Sequence, residues 1–173
     1  AALMTDMDEP LGPAAGNAVE VAEACAFLTG AEIAPNLWDV TVALGGEGLA
    51  LAGLAADAAE GRAKIADAFE SGRAAERFGR MVAALGGPAD FLERFAEILP
   101  RAPVVRDVAA EGAGFVTAIA TRDVGVAVID LGGGRRRAAD AIDHAVGFDA
   151  LMPLGARVEP GDPLGRVHAA DEI

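Results

Sequence analysis

The chain has one lysine (Lys64), one serine (Ser71), one cysteine (Cys25) and two histidines (His144 and His168), and it has no tyrosine or glutamine. Each shortage closes a class of chemistry. A serine hydrolase would have to use Ser71, which sits in Glu70-Ser71-Gly72, a helix-ending turn with no G-x-S-x-G context. There is no Cys/His cluster for zinc and no H-E-x-x-H. No G-x-x-x-x-G-K-[ST] loop is present. Phosphate chemistry that relies on lysines and serine hydroxyls has almost nothing to draw on. Cys25 cannot form an internal disulfide, and it lies on the apolar side of a helical pattern. It reads as a buried structural thiol in a reduced, cytoplasmic setting.

Cations are also scarce. The net charge is −13, which disfavours nucleic acid and anionic membrane as partners and suits a solvated acidic surface. Aromatic residues make up only 5% while apolar residues reach 53%. The excess is largely Ala, Val and Leu, which suit close-packed helices and short strands. No stretch approaches the roughly 20 apolar residues of a membrane span, and Val40 to Leu54 is broken by glycines and Glu47. No signal-peptide pattern is present. A length of 173 residues allows one ordinary domain or two small ones.

Ala1-Ala2-Leu3-Met4 reads as the tail of a buried strand, followed by a Pro/Gly-rich turn and a helix opening at Gly16-Asn17. That is a strand–loop–helix unit entered part-way, as in a piece of a longer protein. Asn17 is placed to cap a helix running to about Leu28, with Glu20 and Glu23 near its positive end. A second helix is predicted from Leu37 to about Leu54. Its Gly45, Gly46 and Gly48 each cost about 1 kcal/mol relative to Ala, which is tolerable where a neighbouring helix approaches closely. The pattern therefore predicts a deeply buried helix. Further helices are predicted from Ala56 or Asp57 to Glu70, from Gly72 to Leu85 and from Pro88 to Leu99.

The pattern changes at Pro100-Arg101-Ala102-Pro103. Val104–Val108 and Phe115–Ile119 read as strands. Val124–Leu131 suits strand or helix. Ala141–Gly147 and Pro163–His168 read as short strands, with a turn at Glu159-Pro160-Gly161-Asp162 before the second. We place a boundary near residue 101, giving a helical segment 1–100 and a β-rich segment 101–173. Gly155 to Ala169 resembles the G-x-x-V-x-x-G-x-x-L stretch of biotinyl- and lipoyl-type barrel-sandwich folds. Carriers of that fold hold their cofactor on a hairpin lysine. Lys64 lies in the helical half, which argues against the carrier function, while the resemblance implies a similar fold.

Three stretches together resemble the thymidine/pyrimidine-nucleoside phosphorylase family. They are the run Thr5 to Ala24, the run Phe78-Gly79-Arg80-Met81-Val82-Ala83-Ala84-Leu85-Gly86-Gly87-Pro88, and Gly125 to Arg136 with Ala141 to Phe148 just after it. They occur in the family's order and at similar spacing along essentially the whole chain. The resemblance implies the helical remainder of an α/β domain followed by a small α+β domain of barrel-sandwich or hammerhead type. It implies reversible phosphorolysis of thymidine, with phosphate as co-substrate, giving thymine and 2-deoxyribose 1-phosphate. It also implies a homodimeric parent. The Gly-Gly-Gly-Arg-Arg and Asp-His-Ala-Val-Gly-Phe wording favours the thymidine branch over the broader pyrimidine-nucleoside one. The family's phosphate and base ligands have no counterparts here, so no catalytic or substrate-binding residue is expected in this chain, which alone should be inactive. A phosphoribosyltransferase relative and a non-enzymatic barrel-sandwich binding module are the other readings.

One site carries over from the family. Some members hold a monovalent cation, potassium for instance, beside the phosphate loop. Its shell includes backbone oxygens of a P-L-G-x-x-x-G-N-A motif and a Glu in the following helix. The matching positions are Leu11, Ala14 and Glu23. Carbonyl oxygens plus one carboxylate suit a hard cation, and a tight turn beside a surface acid is the plain alternative. Gly132-Gly133-Gly134-Arg135-Arg136-Arg137 has the look of an anion nest, but it equally suits a basic turn pairing with local acids. Asp143-His144 and His168 read as structural, and Trp38 as a packing anchor.

Overall fold

Apolar residues at helical spacing dominate the first hundred positions, and helices form there. The computed structural model describes residues 2–172. Two compact units result. One comprises Ala24–Ile98 with the residues before Asp6; the other joins Asp6–Glu23 to the chain from Leu99 onward. The opening loop thus belongs with the later half, and the units do not divide at a single point near residue 101.

The first unit takes the end of α1 (Ala18–Thr29), then α2 (Pro35–Leu51), α3 (Ala58–Glu70), α4 (Arg73–Ala84) and α5 (Phe91–Ile98). α2 starts at its proline, whose fixed φ and missing N–H suit the first turn. Asp57 caps α3 by accepting from the Glu60 N–H at 2.9 Å, and Glu60 returns a bond to the Ala56 N–H at 2.7 Å. α2 and α3 meet backbone to backbone. A Cβ on Gly46 would lie 2.9 Å from the Ala58 carbonyl oxygen and 2.8 Å from the Arg62 nitrogen. A Cβ on Gly45 would fall 2.8 Å from the Ile65 side chain. Nothing lies near Gly48, so that glycine costs helix propensity without a packing return. Nor is α2 deeply buried: Gly46 is its one buried residue, and Leu44 and Leu51 are exposed. The glycines serve one crossing rather than an all-round burial. Trp38 does anchor packing, edge-on to Phe69 at 5.4 Å and Phe27 at 6.2 Å.

Ala2-Leu3-Met4, read in the sequence as the tail of a buried strand, forms no strand with the described residues, and Met4 is fully exposed. Ala1 lies outside the described residues. α5 begins at Phe91 rather than Pro88, because Pro88 to Asp90 form a turn ahead of it.

The second unit is built on an antiparallel sheet. Its strands are β1 (Ala15–Gly16), β4 (Gly147–Asp149), β6 (Pro163–Ala169) and β2 (Val104–Ala109), in that order across the sheet. A second pair joins β3 (Gly114–Phe115) to β5 (Arg157–Val158). The strand predicted over Phe115–Ile119 is shorter: Gly114, Phe115 and Val116 bond across to the 155–158 segment, whereas the Ile119 carbonyl accepts the nearby Thr121 N–H. Val124–Leu131 resolves as helix α6 (Thr121–Asp130). The strand predicted over Ala141–Gly147 moves to Gly147–Asp149, because Asp143 accepts the Ala145 N–H at 2.9 Å and turns the chain first. Within the described residues the fold is therefore a mixture of helices and small antiparallel sheets, as the sequence led us to expect.

Candidate functional site

The carbonyl-bearing residues Leu11 and Ala14 and the carboxylate-bearing Glu23 all lie in the second unit. Pro10, Gly12 and Pro13 keep the loop out of regular structure. β1 then pairs with β4, with Ala15 opposite Phe148 and Gly16 opposite Gly147. Both glycines are needed at that crossing. A Cβ on Gly16 would lie 2.9 Å from the Val146 oxygen, and one on Gly147 would lie 2.5 Å from the Ala15 oxygen. The Ala18 N–H donates to the His144 carbonyl at 3.0 Å. The Asn17 side-chain amide donates to the Gly133 carbonyl at 2.8 Å, so Asn17 ties the helix start to a distant turn. Glu20 meanwhile accepts the Gly16 N–H at 2.9 Å.

These bonds fix where α1 starts, and Glu23 follows one turn later. Its carboxylate packs against Gly12, in the space a Cβ there would fill. The glycine of the Leu11–Ala14 loop is thus the cradle of the Glu23 carboxylate. A carboxylate and carbonyl oxygens are the donor types that suit a hard cation, and the contact shown is that of the Glu23 carboxylate with Gly12. Among the described residues no group of three or more His, Cys, Asp or Glu is placed to hold a metal ion, so a zinc-type centre has no donor set.

A charged cluster missed in the sequence lies on the same sheet. Arg166 and His168 alternate along β6 and so share a face. Asp149 at the end of β4 faces both. Arg166 grips it through Nε at 2.7 Å and Nη2 at 3.1 Å, and His168 Nε2 lies 3.1 Å from Oδ2. Burial alone would raise the Asp149 carboxyl. The two Arg166 bonds and its charge, with His168 close by, outweigh it and hold the carboxyl below its ordinary value. The period-two spacing of Arg166 and His168 was a signal, but nothing in the sequence named their acidic partner.

The other candidates resolve as structure. The Gly132 and Gly133 N–H groups donate to the Ile129 and Val128 carbonyls at 3.0 and 2.9 Å, closing the end of α6. The glycine turn therefore offers no nest. Arg136 pairs with Asp130, and the Arg136 and Arg137 N–H groups donate to Asp140 at 3.1 and 2.8 Å. Asp143 and His144 do not share a strand and form no acid–base pair: Asp143 caps its own turn, and His144 is exposed. Ser71 ends α3 by donating to the Asp67 carbonyl at 2.5 Å. Lys64 donates to the Leu54 carbonyl at 2.6 Å and pairs with Glu60 at 2.7 Å. Cys25 is fully buried, and burial pushes its thiol up, away from the reactive thiolate. In the first unit an open groove of about 350 Å³ is lined by Arg73, Arg77 and Arg80, with Glu76 among them. No helix among the described residues is long and apolar enough to cross a membrane.

Comparison with known proteins places the chain in a family. Residues 115–173 match the family described as the pyrimidine nucleoside phosphorylase C-terminal domain. The chain is 54% identical over 171 residues to a thymidine phosphorylase of Burkholderia cenocepacia (strain HI2424), covering 99% of this chain and 39% of that protein. It is 53% identical over 170 residues to a thymidine phosphorylase of Sinorhizobium medicae (strain WSM419), covering 98% of this chain and 39% of that protein. The chain thus spans about 39% of the length of the curated relatives it matches. With the ordered motifs, the C-terminal family domain and this near-complete match in hand, the chain belongs to the thymidine/pyrimidine-nucleoside phosphorylase family and represents a C-terminal part of such a protein.

Proposed function

We propose that this chain serves an enzyme of reversible thymidine phosphorolysis, in which phosphate displaces thymine to give 2-deoxyribose 1-phosphate. The carrying observation is the 54% identity to proteins named thymidine phosphorylase along 99% of the chain. In this reading the substrate-binding and catalytic groups lie in the rest of the enzyme. This chain contributes scaffold and part of one ion site. Leu11 and Ala14 offer their carbonyl oxygens and Glu23 its carboxylate to a monovalent cation such as potassium. The packing of Glu23 against Gly12 supports that set, because it brings the carboxylate to the carbonyl-bearing loop. When bound, the cation supplies a fixed positive charge beside the phosphate loop. We further propose a cytoplasmic, homodimeric enzyme without a nucleic-acid or membrane partner.

The test compares the purified 173-residue chain with the full-length enzyme that carries it. Phosphate-dependent release of thymine is expected from the full-length protein and none from the chain alone. Turnover by the isolated chain, or a full-length protein that ignores phosphate, overturns the reading. A broader pyrimidine-nucleoside phosphorylase is the second reading, favoured by the name of the matched domain. Comparable kcat/KM for uridine and thymidine would select it.

A further inference from the structure

The loop that carries Leu11 and Ala14 does not hold its own shape. No helix or strand occurs in the described residues before Ala15. Its conformation is instead imposed from one distant segment. The Leu151 N–H donates to the Pro13 carbonyl at 3.0 Å. The Leu154 N–H donates to the Glu9 carboxylate at 2.8 Å. Just beyond the loop, β1 pairs with β4, whose last residue is Asp149. Residues 149–154 thus bond the loop on both sides of Leu11.

The segment is itself braced. Asp149 is gripped by Arg166 and faces His168. The next residue, Ala150, takes φ 50°, the left-handed region that a non-glycine residue enters only when its surroundings demand it. That turn aims the Leu151 and Leu154 amides at the loop. Asp149, Ala150, Leu151 and Leu154 therefore form one continuous device.

We propose that the 149–154 segment is a latch that presets the Leu11 and Ala14 carbonyls for the monovalent cation, with Glu9 as its positioning residue. The inference rests on the cation reading given above. Glu9 is not a ligand in it; Glu9 acts through the Leu154 amide. The physical reason is preorganisation. A cation held by backbone carbonyls gains affinity when the loop is ordered before binding, since the ordering cost is then already met.

The experiment uses the full-length enzyme and reads the rise of its thermal midpoint with added potassium chloride, against N-methylglucamine chloride at equal ionic strength. The wild type is expected to show a potassium-specific rise that keeps growing with the logarithm of potassium concentration once the site begins to fill. Glu9→Ala is expected to need at least tenfold more potassium for the same rise above its own potassium-free midpoint. Glu9→Gln keeps an acceptor for the Leu154 N–H and is expected within twofold of wild type. If Glu9→Ala does not fold, Glu9→Asp, shorter by one methylene, should fall between the two. Hydrogen exchange at Leu154 should speed up in Glu9→Ala and not in Glu9→Gln. No potassium-specific rise in the wild type overturns the cation reading, and the latch with it. A wild-type rise that Glu9→Ala matches at the same potassium concentrations overturns the latch alone.

Discussion

Gly61 of α3 sits directly on the carbonyl of Gly46 in α2. A Cβ on Gly61 would overlap that oxygen and lie 2.9 Å from the Gly46 Cα. The obstacle is helix backbone, which cannot rotate away as a side-chain tip can. Gly61→Ala should therefore destabilise the chain by about 3 kcal/mol, at the upper end for overpacking. Gly48→Ala is the internal control. It lies in α2 with open space around it, and should gain up to about 1 kcal/mol of helix propensity. Urea unfolding of both variants checks the pair; equal effects would refute the close crossing.

Gly12 carries a different kind of restriction. The atoms its Cβ would meet belong to the Glu23 carboxylate, the far end of a flexible side chain. Gly12→Ala should push that carboxylate off the loop and leave the fold nearly intact, at a cost of about 1 kcal/mol or less. In the full-length enzyme the potassium-specific rise in thermal midpoint should then disappear. A variant that keeps the full potassium response would show that the Gly12 cradle has no part in cation binding.

Asp149 makes stability depend on pH in a defined direction. Its folded value lies below the ordinary carboxylate value of about 3.9. The unfolded state therefore binds the proton more readily. The contribution is complete above that ordinary value and is lost as pH falls through the lower folded one. Asp149→Asn should cost about 1–3 kcal/mol at pH 7, because Arg166 loses its charged acceptor in a half-buried place. The gap between wild type and variant should close as pH drops towards 2. Denaturant unfolding at several pH values checks it, and a gap that persists unchanged at low pH would contradict the assignment.

The glycine turn before Arg135 should not bind phosphate. Its Gly132 and Gly133 amides are already spent on α6 carbonyls. Titrating the chain with inorganic phosphate should leave the amide resonances of Gly132 to Arg137 without a saturable shift. Saturable movement of Gly132 and Gly133 would mean that the α6 cap opens to receive an anion.

The helices were legible because their signals are local. The Asp57 and Glu60 side chains cap α3 within four residues, and Pro35 sets the first turn of α2. The second half was read less well. β1, β3 and β5 are two-residue elements made only by their partners, and no stretch of two residues carries a period. Val124 to Leu131 was open between strand and helix, since a short apolar run fits both. The glycines of α2 announced a close approach without saying which of them makes it: Gly45 and Gly46 do, and Gly48 does not.

For the candidate site the division follows the same rule. Leu11, Ala14 and Glu23 were marked as candidates by a resemblance carried in one stretch of chain, because a loop and the helix after it stay close in sequence. The residues that hold them in place were not marked. Leu151 and Leu154 act through backbone N–H groups, which every residue except proline possesses, so side-chain identity carries no trace of the role. Glu9 was one acid among many in a chain of net charge −13. The resemblance of three ordered motif stretches pointed to the family, and local periodicity and capping signals marked the helical first half. Folding decided which acid meets which amide, because bonds between residues 9 and 154 exist only after the sheet has brought those residues together.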